Sequence, residues 1–217
     1  MIITKQKDFA EILKNLQGYT AVFLVGCGEC STTCKTGGEG EILGLKSLLE
    51  GEGKKVVGYC IPKSPCVSSQ LKQELSKNAK GLRQAEVIVV LSCGLGVQSV
   101  KENDRLGLRV LPACDSLFGA VMDGKGNFFE KCSLCGECVL AETAGICPIT
   151  LCPKGLLNGP CGGMNKGKCE VDKDRDCAWV LIYRELEKQK QTSRMKKVHP
   201  PKDFQKTTRP RKLVVAE

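Results

Sequence analysis

Three cysteines of the run CSLCGEC, at positions 132, 135 and 138, have the spacing Cys-x2-Cys-x2-Cys. Bacterial ferredoxins use this spacing to place three thiolates on one 4Fe-4S cubane. Zinc ribbons usually present separate Cys-x2-Cys knuckles, so the third cysteine favours a cluster over a zinc ion. The run therefore predicts Cys132, Cys135 and Cys138 as ligands of a 4Fe-4S cluster.

The fourth ligand of that cluster does not follow from the same pattern. Ferredoxins carry a Cys-Pro pair three residues after the run, whereas here the Cys-Pro pairs come later, at Cys147 and Cys152. In two-cluster ferredoxins the Cys-Pro cysteine serves the other cluster. We therefore assign Cys147 to cluster binding and leave open which cluster it serves.

Four more cysteines follow in a stretch that is poor in apolar residues: Cys152, Cys161, Cys169 and Cys177. Together with the preceding four they make two sets of four thiols. Metal–thiolate bonds can fold a segment that has too few apolar residues to collapse alone. The four are therefore predicted to hold a second metal, and their spacing leaves both a cubane and a structural zinc open.

The first 120 residues carry the other seven cysteines, in a pattern that alternates short apolar runs with helical segments. The runs TAVFLVGC, KVVGYC, EVIVVLSC and LRVLPAC predict strands of a mainly parallel sheet, and each ends in cysteine. Open α/β sheets bind ligands beyond the carboxyl ends of their strands. We therefore expect four thiols to face one crevice: Cys27, Cys60, Cys93 and Cys114. Burial as small apolar side chains is the alternative for each.

The glycine-rich turn GCGECSTTCKTGG follows the first of these strands. Its glycines let the backbone fold around a cubane, and the free N–H groups of such a turn stabilise anionic sulfur. We predict Cys27, Cys30 and Cys34 as ligands of a 4Fe-4S cluster, with Cys93 as the fourth. The roles of three further cysteines stay open: Cys60, Cys66 and Cys114. Neither GCG nor GLG completes Gly-x-Gly-x-x-Gly, which disfavours a dinucleotide site.

Helical periodicity flanks the predicted strands. It predicts helices over residues 4–17, 39–53 and 68–82. The first of them has one apolar face, formed by Phe9, Ile12, Leu13 and Leu16. A last helix is expected after an N-cap at Asp176, with an apolar face of Trp179, Ile182, Tyr183 and Leu186. The fold class is therefore α/β, a mainly parallel sheet with flanking helices.

The chain is predicted to have three parts. Residues 1–120 form the α/β domain, residues 121–187 a cysteine-rich, ferredoxin-like metal-cluster domain, and residues 188–217 a basic tail. Most of the formal charge of +9 comes from this tail. Because it is nearly free of apolar residues before its last few positions, it is expected to be disordered or bound along a partner subunit.

Composition disfavours several classes of protein. The odd count of 15 cysteines and an N-terminus without an apolar signal core favour a reducing, cytoplasmic setting over a disulfide framework. No apolar segment approaches the roughly 20 residues of a membrane span. Aromatic residues, at 5%, are too few to interleave with basic ones, so no nucleic-acid partner is expected. His199 is the single histidine, which leaves metal binding to thiolates and disfavours acid–base catalysis.

The runs CSLCGEC, GICPITLCPKGLLNGPCGG and GCGECSTTC resemble the small V-type subunit of acetogen-type methylenetetrahydrofolate reductase, also known as the methylenetetrahydrofolate reductase C-terminal domain. The resemblance covers residues 1–187, and CPKGLLNGPCGG is its most specific part. It implies a flavin-containing (βα)8-barrel partner subunit that reduces methylene-tetrahydrofolate to methyl-tetrahydrofolate. It also implies two or three 4Fe-4S clusters on this chain, with zinc as a substitute for one of them.

The resemblance implies a non-catalytic subunit that relays electrons between an external donor and the partner's flavin. The donor would be a ferredoxin or a flavoprotein/iron-sulfur complex. The alternative is a non-redox, zinc-binding assembly subunit of the same complex. A self-contained enzyme with a nucleotide or corrinoid in the crevice is disfavoured, because the sequence has no complete phosphate-binding or lower-ligand motif.

Overall fold

The computed structural model describes residues 1–214 and divides the chain into two compact units, Met1–Phe118 and Gly119 onward. The predicted tail therefore includes three residues, 215–217, that lie outside the described part. No helix among the described residues is long and apolar enough to cross a membrane.

The first unit alternates strands and helices, as its apolar runs predict. In chain order its elements are β1 (Ile2–Gln6), α1 (Phe9–Asn15), β2 (Ala21–Val25), α2 (Cys30–Thr33), α3 (Glu39–Gly51), β3 (Lys55–Cys60), α4 (Ser68–Lys77), α5 (Ala79–Leu82), β4 (Val87–Val90), α6 (Gly94–Asn103) and β5 (Arg109–Pro112). Strand β6 (Cys114–Met122) follows directly.

Four of these strands form a parallel sheet in the order β3-β2-β4-β5. Alternate residues of each strand face opposite core clusters, because successive side chains of a strand point to opposite faces. Leu24 and Val89 pack with α1 and α3, whereas Val25 and Val90 pack with Leu71 of α4 on the other face. The prediction of a parallel sheet with flanking helices is confirmed.

The N-terminal helix is shorter than its periodicity predicts. Residues 2–6 form strand β1 instead, in a second sheet of order β1-β6-β7, and the helix begins at Phe9. Ile3 and Thr4 are buried there, and the Thr4 hydroxyl lies 2.6 Å from that of Thr36. Tertiary pairing therefore outweighs the local helical pattern in these residues. The helix expected over 68–82 is divided at Asn78 into α4 and α5.

The second unit has little regular structure. It contains β7 (Phe128–Glu130), α7 (Pro148–Leu151), α8 (Ala178–Lys188) and two 3-10 helices, Thr192–Lys196 and Phe204–Thr207. Its apolar core is small and consists of α8 side chains packed on neighbouring loops.

Helix α8 differs from its prediction in two respects. Its N-cap is Cys177, one residue after the expected Asp176, whose carboxylate pairs with Lys168 at 2.8 Å. Trp179 and the aliphatic residues of the predicted face are buried, but Tyr183 is 43% exposed. The Tyr183 hydroxyl instead donates to Glu187 along the helix surface, at 3.0 Å.

Candidate metal centres

The first thiol pocket is a cavity of about 320 Å³ in the second unit. The four cysteines that line it are Cys132, Cys135, Cys138 and Cys147. The structure thus brings together around one cavity the four thiols that the second half of the sequence assigned to cluster binding. Its wall also includes the polar residues Lys131, Ser133, Glu137 and Lys202.

Two residues in left-handed conformation shape the loop that carries these cysteines. Leu134 has a φ of 57° and Gly136 a φ of 78°. Such residues turn the chain sharply, which keeps the loop curled along one cavity wall. The Leu134 N–H donates to the Cys132 sulfur at 3.4 Å. Hydrogen bonds of this kind stabilise the anionic form of sulfur.

A lysine from the tail reaches the same pocket. The Lys202 ammonium lies 3.0 Å from the Cys135 sulfur and also donates to the Glu137 carbonyl. The pKa of Cys135 lies below its ordinary value, mainly because Lys202 donates this hydrogen bond to its sulfur. The pocket therefore favours a thiolate at Cys135, as a metal ligand requires. No motif in the sequence pointed to Lys202.

The described tail residues lie along the second unit and are anchored by their basic side chains. Arg194 and Lys197 both pair with Glu142, at 3.1 and 2.7 Å. Arg211 donates to the Leu134 carbonyl at 3.0 Å, beside the first thiol pocket. Composition predicted a disordered or partner-bound tail, and these contacts hold it to its own unit. Binding to a partner stays a prediction.

The second thiol pocket is a smaller cavity, of about 20 Å³. The cysteines that line it are Cys152, Cys161, Cys169 and Cys177, the four that the sequence grouped as a second metal set. Backbone hydrogen bonds hold two of them: the Cys169 N–H donates to the Arg175 carbonyl and the Cys177 N–H to the Gly167 carbonyl. Trp179 closes one wall, and its indole N–H donates to the Leu156 carbonyl at 3.1 Å.

One helical turn separates the two pockets along the chain. Cys147 is the N-cap of α7 and lines the first pocket, whereas Cys152 is its C-cap and lines the second. The proline after each cysteine suits these positions, because Pro148 begins the helix and Pro153 cannot continue it. The two Cys-Pro pairs therefore direct neighbouring thiols to different pockets. Their spacing alone left this allocation open.

In the first unit, three of the four strand-end cysteines lie beyond their strands. Cys27 follows β2, Cys93 immediately precedes α6, and Cys114 begins β6. The expectation that all four face one crevice is wrong for Cys60 and Cys114, because each is buried in one of the two core clusters of the sheet. Cys60 is the last residue of β3, in register with Val25, so its side chain joins the core cluster of Val25. Burial raises the pKa of the Cys60 thiol to about 12, which keeps it neutral.

Cys93 lies near two other thiols of this unit, because it raises the pKa of Cys66 and also that of Cys114. Burial raises the pKa of Cys66, and three nearby thiols raise it further: Cys93, Cys27 and Cys30. Cys34 and Cys114 instead direct their sulfurs toward backbone carbonyls. Cys34 lies 3.9 Å from the Ile2 carbonyl oxygen and Cys114 3.5 Å from that of Thr36. Burial raises the pKa of Cys114 to about 12.

None of these cysteines forms a disulfide, consistent with thiols available for metal. Among residues 1–214 no three side chains of His, Cys, Asp or Glu are placed so that they could hold a metal ion as they stand. Ligation by the predicted residues therefore stays a prediction. Sulfur donors in sets of four fit both a 4Fe-4S cluster and a tetrahedral zinc ion.

The fold and these pockets define an α/β protein with an appended cysteine-rich unit. Residues 111–205 match a model of the family described as methylene-tetrahydrofolate reductase C terminal. The matched segment contains the cysteines of both thiol pockets. In this segment the chain is similar to the C-terminal part of a methylene-tetrahydrofolate reductase. No curated protein and no solved structure matches the chain.

Proposed function

We propose that this chain is the electron-transfer subunit of a methylenetetrahydrofolate reductase complex. It would relay electrons between an external donor, a ferredoxin or a flavoprotein/iron-sulfur complex, and the flavin of a (βα)8-barrel catalytic subunit. The observation that carries the proposal is the coincidence of the family match with two pockets, each lined by four cysteines. A reducing cytoplasm suits so many free thiols.

The first thiol pocket fits a 4Fe-4S cluster. It offers four sulfurs, a backbone N–H directed at Cys132 and a cation at Cys135, all of which favour anionic sulfur. When bound, such a cluster accepts and donates single electrons. The residues around it would set its potential through hydrogen bonds and charge. Cys132, Cys135, Cys138 and Cys147 are the proposed ligands.

The second thiol pocket fits a single zinc ion better. A cavity of about 20 Å³ has room for about one atom of the size of a water oxygen. Four cysteine sulfurs are the donor set of a structural zinc site. Cys152, Cys161, Cys169 and Cys177 would therefore fix the loops under Trp179, in a unit whose apolar core is small. The resemblance allowed zinc in one site, and the cavity size favours this one.

The catalytic site belongs, in this proposal, to the partner subunit. The single histidine, His199, lies in the tail, where its backbone N–H donates to Asn158 at 2.7 Å. Folate reduction would therefore use the partner's flavin, and this chain would supply its electrons. The second candidate function, a zinc-binding assembly subunit without redox activity, is favoured only by the size of the second pocket.

Anaerobic stopped-flow spectroscopy separates the two candidates. The chemically reduced chain is mixed with the oxidised flavin subunit, and flavin absorbance is followed. We expect flavin reduction with the native chain and with Ser133→Ala, and its loss with Cys132→Ser. Ser133 lines the same pocket without a sulfur, so it is the matched control. Equal flavin reduction with and without this chain would leave only the assembly function.

A further inference from the structure

We infer that Cys66, rather than Cys34, completes a 4Fe-4S site with Cys27, Cys30 and Cys93 in the first unit. The inference rests on the proposed function only in taking the chain to carry clusters. It changes the ligand set that the sequence predicted, because the fold brings the loop 61–67 to the glycine-rich turn. The spacing Cys-x2-Cys-x3-Cys had favoured Cys34.

The loop 61–67 is fastened to the turn that carries Cys27 and Cys30. The Gly28 N–H donates to the Pro62 carbonyl at 3.0 Å. A side chain at Gly28 would lie 3.2 Å from the Lys63 Cα, so only glycine allows this close approach without displacing the loop. Two chain segments are thereby held in contact directly beside Cys27.

The same loop is also packed against the start of α6, where Cys93 is the N-cap. A side chain at Gly96 would lie 3.1 Å from the Pro65 side chain and 2.2 Å from the Ser92 hydroxyl. Pro65 therefore lies on the first turn of α6, and the next residue is Cys66. The loop therefore contacts Gly28, which follows Cys27, and Gly96, which lies three residues after Cys93.

The first turn of α6 also suits an anionic group. This helix has ten residues, and the N–H groups at its beginning carry partial positive charge. Cys93 is 8% exposed and Cys27 6%, whereas Cys66 is exposed. The proposed set therefore combines buried ligands with one at the surface of the unit, where an electron donor can approach.

Cys34 faces a different part of the unit. Its sulfur lies 3.9 Å from the carbonyl oxygen of Ile2 in β1. The next residues turn toward β1 as well, because the Thr36 hydroxyl pairs with that of Thr4 and the Thr36 carbonyl accepts from Cys114.

Paired variants of the full chain test the inference. Cys66→Ser and Cys34→Ser are prepared anaerobically, and their iron and acid-labile sulfide are measured beside the native chain. Loss of a ligand converts a 4Fe-4S cluster to a three-iron form or removes it. We expect Cys66→Ser to lose one to about four irons per chain, with a changed electron paramagnetic resonance spectrum. Cys34→Ser should retain the native iron content and spectrum.

Alkylation of the native chain gives a readout that does not depend on a substitution. Cys66 is exposed, so without metal iodoacetamide should reach and modify it. We expect the metal-loaded chain to protect Cys66 and to lose that protection after iron chelation. Iron loss on Cys34→Ser, or free alkylation of Cys66 in the loaded chain, would overturn the ligand set. If the ligand set fails this test but the second unit still contains acid-labile sulfide, the proposed function is not contradicted.

Discussion

The ammonium group of Lys202 lies 3.0 Å from the sulfur of Cys135, although 67 residues separate them in the chain. A fixed positive charge favours the more negative, reduced form of a cluster bound there. We expect Lys202→Met to lower the reduction potential of this cluster by on the order of 50 mV, measured by redox titration. Lys196→Met removes the same charge from an exposed position of the tail and should leave the potential nearly unchanged. Equal potentials for both variants would contradict a role for Lys202.

Acid should release the tail from the second unit. The hydrogen bond from Lys197 holds the pKa of Glu142 below its ordinary value, and that from Lys206 does the same for Glu137. A glutamate whose pKa is lowered by folding stabilises the folded state at pH values above its ordinary pKa. This contribution is lost as the pH falls through the folded-state pKa. Hydrogen exchange of the tail, corrected for intrinsic rates, should increase on acidification.

A carboxylate substitution should have the same effect as acid at neutral pH. Glu142→Gln removes the charge that pairs with Arg194 and Lys197, so tail exchange should rise. Glu185→Gln is the control, because Glu185 pairs with Lys188 within α8. A tail that exchanges equally in both variants would show that these ion pairs do not hold it. High salt should weaken the attachment too, since the pairs are exposed.

Gly37 fastens the glycine-rich turn to the parallel sheet. A side chain at this position would lie 1.9 Å from the Leu91 carbonyl oxygen, immediately after β4. We expect Gly37→Ala to destabilise the chain by about 3 kcal/mol and to lower the iron bound by the first unit. Gly40→Ala, in α3 and with no neighbour within 4 Å, should instead stabilise by about 0.5 kcal/mol. Urea unfolding measures both, and equal midpoints would contradict this packing.

The only tryptophan of the chain reports on the second thiol pocket. Trp179 is 5% exposed and lies against Cys177 and its neighbours. If these thiols hold a structural metal, a strong zinc chelator should open the pocket and shift Trp179 fluorescence to longer wavelength. Readdition of zinc should reverse the shift. Native-like emission after complete zinc removal would mean that apolar packing alone folds this unit.

The parallel sheet and the grouping of thiols in the second unit could be predicted from sequence. Continuous β-branched runs such as EVIVVLSC indicate strands buried on both faces. The two pockets each collect four cysteines that are close in the chain, so local spacing carries most of the information. Cys60 could not be separated from Cys27 and Cys93 in the same way, because each of their runs ends in cysteine and only the structure places Cys60 within its strand.

Other features depend on pairings between distant residues, which spacing does not contain. Strand β1 forms where helical periodicity was expected, because it joins a sheet with β6. Lys202 reaches Cys135 only through the path of the tail. The loop of Cys66 is placed by close approach at Gly28 and Gly96, which appear in the sequence as ordinary turn residues. Sequence reasoning therefore identified the thiols but not all of their neighbours.

Metal and sulfide analysis of the anaerobically purified full chain tests the proposed electron relay most directly. We expect about eight irons and eight acid-labile sulfides per chain, from one cluster in each unit, and about one zinc. The visible absorption of the clusters should bleach on reduction with dithionite. A chain with zinc but without acid-labile sulfide would contradict electron transfer by this subunit.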